Sequence, residues 1–95
     1  MEQSAIVRKR IIVSGRVQGV GFRYRAIHAA QNLGLTGWVR NDPAGTVTME
    51  VQGAEEQIYR MIPMIEHNSW VSIHDWKEEN IPVDEQESVF RVVGY

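Results

Sequence analysis

Hydrophobic and polar positions change their spacing several times along the chain, and each change predicts a different kind of element. Residues 10–14 form a short β-branched run, which predicts a first strand that ends at Gly15. From residue 22 the apolar positions recur at helical spacing, and Gly34 follows as a C-cap, so a first helix is predicted over 22–33. A second strand is predicted over 36–41.

Alternation is clearest between residues 47 and 52, where Val47, Met49 and Val51 alternate with polar side chains. This period of two predicts a half-buried strand. The preceding segment, 41–45, contains both proline and glycine, which favour a turn. The second and third strands are therefore predicted to form a hairpin.

A second helix is predicted after Gly53, because Ile58, Met61 and Ile65 share one helical face. Pro63 lies inside this pattern. A proline in a helix removes one backbone hydrogen bond, at a cost of about 3 kcal/mol. We therefore expect the helix to kink or to end near Ile62.

Two further strands are predicted at residues 71–74 and 89–93, and the polar segment 77–88 between them is expected to be a solvated loop. Trp76 shares parity with the polar positions, so it either covers the open face of the sheet or marks a β-bulge. The order βαββαβ with an extra closing strand predicts an α+β, ferredoxin-like sandwich, in which an antiparallel sheet carries two helices on one face.

The length and the N-terminal composition limit the domain organisation. Because 95 residues leave no room for a second core, one domain over 1–95 is predicted, with residues 1–8 as a flexible leader. The N-terminus is too polar for a signal peptide, and no apolar run approaches the roughly 20 residues that span a bilayer. We expect a cytoplasmic monomer that contacts no membrane.

Charge and cysteine content argue against several classes of protein. The net charge is −2 and the basic side chains are dispersed, which disfavours a nucleic-acid partner. Since there is no cysteine, a thiolate nucleophile and a cysteine-based zinc or iron–sulfur site are impossible. His28, His67 and His74 are distant in sequence, so we expect no metal site and no cofactor.

A glycine-rich loop joins the first strand to the first helix. Its spacing, with Gly15, Gly19 and Gly21, fits neither the dinucleotide-binding fingerprint nor the Walker loop. Glycines allow backbone N–H groups to turn inward, and the N-terminus of a helix adds further donors, so the loop could cradle a phosphate that Arg23 grips. The spacing is equally compatible with a tight connection in which Arg23 is solvated.

Two segments together carry a resemblance to a known family. The run Gly-Arg-Val-Gln-Gly-Val-Gly-Phe-Arg-Tyr at residues 15–24 resembles the first signature of the acylphosphatase family. The run Gly-Trp-Val-Arg-Asn at residues 37–41, followed by Gly45, Val47 and Gly53, resembles its second signature. The similarity is strong over residues 10–53, whereas Pro63 and the segment 66–70 depart from the family pattern.

The resemblance implies a metal-free hydrolase that acts on a small-molecule acyl phosphate. Water would attack in line and cleave the carboxyl–phosphate bond to give a carboxylate and inorganic phosphate. Asn41 would position the water and Arg23 would bind the phosphoryl group. A carboxylate needs little help to leave, which agrees with the absence of an evident acid–base pair near the signatures. Backbone amides would hold the remaining phosphate oxygens, and the phosphate-binding residues implied are Arg16, Val17, Gln18, Gly19, Val20, Gly21, Phe22 and Arg23.

Two other classes of function remain as alternatives. The first is a noncatalytic module that binds an anion at the same loop, although the presence of both Arg23 and Asn41 favours an enzyme. The second is an RNA-binding ferredoxin-like domain. Such domains place aromatic side chains on exposed central strands, and the candidate strands at 11–14 and 47–52 have none.

Overall fold

The computed structural model describes residues 5–94, which form two helices and a five-stranded sheet. The element order agrees with the predicted ferredoxin-like α+β plan, and the first helix and second strand have the predicted bounds. In chain order the elements are β1 (Ile6–Arg16), α1 (Phe22–Leu33), β2 (Thr36–Asn41), β3 (Val47–Ala54), α2 (Glu55–Glu66), β4 (Ser72–Ile81) and β5 (Phe90–Val92).

The strands lie in the order β4-β1-β3-β2-β5. All neighbours are antiparallel except β5, which runs parallel to β2, so the expectation of a wholly antiparallel sheet is wrong at this edge. The reason is the path of residues 82–89, which cross one end of the sheet from β4 to β2. Along this path the Gln52 side chain donates to the carbonyl oxygen of Asp84.

Both helices pack on one face of the sheet, as predicted. Alternate residues of the strands, such as Ile11 and Met49, share a buried cluster with Ala26 of α1 and Ile58 of α2. The remaining face carries polar and charged side chains such as Arg10 and Glu50, together with Ile12 and Trp38. Neither helix within residues 5–94 is long and apolar enough to span a membrane.

The first strand begins earlier than predicted, so residues 6–8 of the expected flexible leader over 1–8 belong to a strand. Ile6 pairs with Ala54, and Arg8 pairs with both β3 and β4. The sequence hid this part of the strand because Arg8 and Lys9 are charged, yet both are about 95% buried in partnership with acidic side chains from distant segments. Residues 1–4 lie outside the described residues.

The fourth strand extends to Ile81, so the prediction of a loop over residues 77–88 is wrong for its first part. Glu78 and Glu79 belong to this strand and form ion pairs with Lys9 and Arg10 of β1. Charged side chains are common on edge strands because they discourage pairing with other chains. The polar composition therefore indicated an edge and not a loop.

The structure decides between the two alternatives for Trp76, a position on the open face of the sheet and a β-bulge. The β1–β4 register shifts between Ser14 and Gly15, and their partners Asp75 and Ile73 leave His74 unmatched. This irregularity is a β-bulge, and it reverses the side-chain parity of the strand. Trp76 consequently packs against the buried core on the helix-covered face, so the expectation of a bulge is confirmed.

Helix α2 continues through Pro63 to Glu66, so the expected end near Ile62 is wrong. Pro63 lies on the exposed side, whereas Ile58 and Ile65 are fully buried. Their burial offsets the lost backbone hydrogen bond.

The substitution Pro63→Ala is expected to raise the free energy of unfolding by up to about 3 kcal/mol. Alanine restores an N–H that can donate to the carbonyl of Tyr59, and it removes the steric conflict with that turn. Urea denaturation of both proteins measures the change. Arg60→Ala, at another exposed position of α2, is the control and should stay within about 0.5 kcal/mol. Equal or lower stability of the Pro63 variant would contradict the explanation.

An ion-pair network covers part of the open face. Glu50 accepts from Arg8 at 3.2 Å and from Arg10 at 2.8 Å, and Arg8 also pairs with Glu87 at 2.6 Å. Burial alone would raise the pKa of Glu50, but the hydrogen bonds from Arg10 and Arg8 lower it below its ordinary value of 4.5. The carboxylate therefore stabilises the folded chain in its ionised form.

Because the folded-state pKa of Glu50 is lowered, its stabilising contribution is present above pH 4.5 and is lost as the pH falls through the folded value. Thermal unfolding followed from pH 7 to pH 3 should show this loss. The substitution Glu50→Gln should flatten the acid limb, whereas Glu85→Gln, at an exposed position, should not. Identical acid limbs for Glu50→Gln and the unmodified chain would refute the assignment.

Candidate active site

The loop before α1 has the backbone conformation that an anion cradle requires. Gly19 has φ 72° and Gly21, the N-cap of α1, has φ 82°, both in the left-handed region that side-chain-bearing residues avoid. The N–H of Arg25 donates to the carbonyl oxygen of Gly21 at 3.0 Å. The amides of residues 22–24 precede this bond and have no partner within the helix, so the helix N-terminus offers donors and a positive dipole end.

One cleft of about 330 Å³ contains parts of both signature segments. It lies between the loop, the first turns of α1, the end of β2 and strand β5. Arg23 and Asn41, which are 18 positions apart in the sequence, both line it. The complete lining is Val17, Gly19, Gly21, Phe22, Arg23, Tyr24, Ile27, Asn41 and Val92.

The guanidinium of Arg23 forms no hydrogen bond or ion pair with any residue among 5–94. The side chain is half-buried, and the first turn of α1 contains no acidic residue. A partly desolvated positive charge beside a helix N-terminus favours an anion, and a guanidinium can hold two phosphate oxygens at once. The cleft therefore presents an uncompensated cation to a ligand.

Asn41 supplies the second reactive feature of the cleft. It is the last residue of β2 and pairs with Val47 of β3. Its side-chain Oδ1 is buried and accepts no hydrogen bond from the residues that the structure describes. A buried acceptor without a partner costs about 1–3 kcal/mol. An acceptor maintained at that cost in a cleft suits an O–H donor such as a water molecule.

Gln18 connects the loop to the turn that follows Asn41. Its Nε2 donates to the carbonyl oxygens of Asp42 at 2.7 Å and Thr46 at 2.8 Å. The Asp42 carboxylate in turn accepts from the hydroxyls of Thr46 and Thr48. Burial alone would raise the pKa of Asp42, but these hydroxyls and Arg40 lower it. The loop and the Asn41 strand end are thus held as one unit.

Three of the residues named as phosphate-binding do not line the cleft. Arg16 is exposed at the end of β1, where it pairs with Ser72, and Val20 packs against the core. The side chain of Gln18 donates to the turn. Tyr24, Ile27 and Val92 were not anticipated as part of the cleft. Tyr24 adjoins the first signature, but Val92 could not be found without knowing that β5 lies beside β2.

The resemblance to the acylphosphatase family implies acyl-phosphate hydrolysis in this cleft, and Gln18→Ala is then expected to lower its kcat about tenfold or more, because small displacements of catalytic groups are costly. The folded state should persist, since the lost bonds reach only the turn at residues 42–46. Steady-state kinetics measures the effect. Gln31→Ala, on an exposed part of α1, is the matched control. Unchanged kinetics in Gln18→Ala would show that the connection has no catalytic role.

Comparison with known proteins places these residues in a family. The protein-family model Acylphosphatase matches residues 9–92. The acylphosphatase of Bifidobacterium longum (strain NCC 2705) is 44% identical over 82 residues, covering 79% of this chain and 84% of its own length. That of Geobacillus thermodenitrificans (strain NG80-2) is 41% identical over 87 residues, covering 90% of this chain and 93% of its own length.

A solved structure agrees with the sequence comparison. The crystal structure of acylphosphatase from Bacillus subtilis superposes with a TM-score of 0.82 at 32% identity, covering 93% of this chain and 99% of that chain. The sequence comparison and the structural comparison therefore agree, and the structural match covers almost the whole of both chains. The chain belongs to the acylphosphatase family.

Proposed function

We propose that Arg23 and Asn41 carry out the hydrolysis of acyl phosphates, the activity of the family, inside the cleft described above. One observation carries the assignment of these residues. Arg23 and Asn41 line the same cleft at the N-terminus of a helix, and within residues 5–94 the Arg23 guanidinium and the buried Asn41 Oδ1 have no partner. These are the groups needed to hold a phosphoryl group and a water molecule side by side.

Binding of the phosphoryl group involves the loop and α1. The amides around Gly19, Gly21 and Phe22 and the dipole of α1 favour the phosphate oxygens, and the Arg23 guanidinium holds two of them. Phosphoryl transfer depends mainly on positioning and on stabilising charge on the equatorial oxygens. The loop supplies both effects without covalent chemistry by the protein.

The attacking water lies between Asn41 and the phosphorus atom. It donates one hydrogen bond to Oδ1 of Asn41, which directs an oxygen lone pair toward phosphorus. The new bond joins the water oxygen to phosphorus, and the bond between phosphorus and the acyl oxygen breaks. That oxygen leaves with the electron pair as a carboxylate, and the water's proton passes to a phosphate oxygen. The products are a carboxylate and inorganic phosphate.

Metal independence is part of the proposal. The positive charge that a metal ion would supply comes from Arg23 and the α1 N-terminus, and the carboxylate leaves without a general acid. Within residues 5–94 no group of His, Asp or Glu side chains is arranged to hold a metal ion.

We further propose that residues 1–95 act as one domain, as a cytoplasmic monomer without a nucleic-acid partner. Elements from both halves of the chain share one core cluster, which supports the single domain. Arg8, Lys9 and Arg10 are engaged by acidic side chains, which leaves them unavailable to a nucleic-acid backbone.

Hydrolysis of acetyl phosphate in the presence of a chelator tests the activity and its metal independence together. The proposal predicts release of inorganic phosphate well above the uncatalysed rate, with the same kcat before and after treatment with EDTA. A matched sample of Arg23→Ala should be near background. Chelator-sensitive turnover would overturn the metal-free mechanism, and absence of turnover would overturn the catalytic assignment.

A further inference from the structure

A second depression adjoins the catalytic cleft. It has a volume of about 300 Å³ and lies between α1 and α2. Tyr24 lines both the cleft and this depression, whereas Asn41 lines the cleft alone. The two spaces therefore meet at Tyr24. We call the second space the acyl groove; its residues are Tyr24, Arg25, His28, Ala29, Asn32 and Met64.

The walls of the acyl groove are suited to a flat apolar group. Tyr24 is 69% exposed, and its ring centroid lies 4.4 Å from that of His28 with the rings tilted by 60°. Met64, on α2, is 37% exposed and offers a polarisable thioether. A large aromatic ring left so exposed at the mouth of a cleft has face area available to a further ring.

The guanidinium of Arg25 already has hydrogen-bond partners at one edge of the groove. It donates to the carbonyl oxygen of His67 at 2.9 Å and to that of Asn68 at 3.0 Å. These bonds fix the loop after α2 against α1 and define the edge of the groove.

The in-line geometry directs the acyl group away from Asn41. In such a displacement the attacking and leaving oxygens lie on opposite sides of phosphorus. With water at Asn41 and the phosphoryl group at Arg23, the acyl oxygen leaves from the remaining side. Tyr24 follows Arg23 directly in the chain and lines the same cleft.

We propose that the acyl groove binds the acyl half of the substrate and selects aromatic acyl phosphates over small aliphatic ones. The proposal rests on the function proposed above, because it assumes that the phosphoryl group binds at Arg23. Tyr24 supplies the main contact, and His28 holds its ring in position.

Benzoyl phosphate and acetyl phosphate, used as alternative substrates, test the groove. Tyr24→Ala should lower kcat/KM for benzoyl phosphate about fivefold more than for acetyl phosphate, the size expected for one aromatic contact, with most of the change in KM. Tyr24→Phe should retain the preference, and His28→Ala should lose part of it. Trp70→Ala, 76% exposed and outside both spaces, is the control.

The two proposals fail in different ways. Equal effects of Tyr24→Ala on both substrates, or no effect on either, would overturn the acyl groove alone. Hydrolysis of neither substrate by the unmodified chain would overturn the proposed function and the groove with it.

Discussion

The substitution Arg23→Ala is expected to lower kcat/KM for acetyl phosphate about 10³-fold or more, the effect of an arginine that stabilises a transferring phosphoryl group. Arg23 is the cation that lines the cleft without a partner among residues 5–94, so nothing nearby can replace it. Both the affinity for the substrate and the stabilisation of the transition state should decrease. Steady-state kinetics together with inhibition by inorganic phosphate would measure the two losses.

Two further variants test whether the loss of activity depends on the guanidinium group at position 23. Arg23→Lys keeps the charge but cannot offer the planar fork, so it should recover only a small part of the activity. Arg60→Ala removes an exposed arginine on α2 and should leave the kinetics unchanged. If Arg23→Ala retained unaltered inhibition by inorganic phosphate, the phosphate-binding role would be disproved.

The substitution Asn41→Ala is expected to lower kcat about 10²–10³-fold, as for loss of one preorganised polar group. Inhibition by inorganic phosphate should change little, because Asn41 holds the water and not the phosphoryl group. The variant should also be more stable than the unmodified chain by about 1 kcal/mol, since it removes a buried acceptor that has no partner. Kinetics and urea denaturation provide the two measurements.

The Asn41 prediction combines lower activity with higher stability, which a merely structural residue would not produce. Functional residues are often retained at a cost in stability. A variant that lost activity and stability together would show that Asn41 supports the strand end. A variant that kept its kcat would remove Asn41 from the mechanism.

Local patterns were sufficient for much of the fold. Helix α1 and strand β2 have the predicted bounds, because each is specified by neighbouring residues and closed by a glycine or a turn. The two signatures likewise identified Arg23 and Asn41, which the fold brings to one cleft.

The errors arose where distant partners decide the structure. Arg8 lies inside strand β1 because Glu50 and Glu87 neutralise it, and these residues are 42 and 79 positions away. The parallel pairing of β5 depends on the path of residues 82–89 across the sheet, which no local pattern encodes. For the same reason the place of Val92 in the cleft and the contact of Gln18 with Thr46 could not be predicted.

The central claim is that water held at Asn41 attacks phosphorus, and hydrolysis in water enriched in oxygen-18 tests it most directly. A single turnover of acetyl phosphate, with mass spectrometry of both products, shows which bond was formed. The mechanism predicts that the label enters inorganic phosphate and that acetate remains unlabelled. Label in the acetate would mean attack at the carbonyl carbon and would contradict the assignment of the cleft.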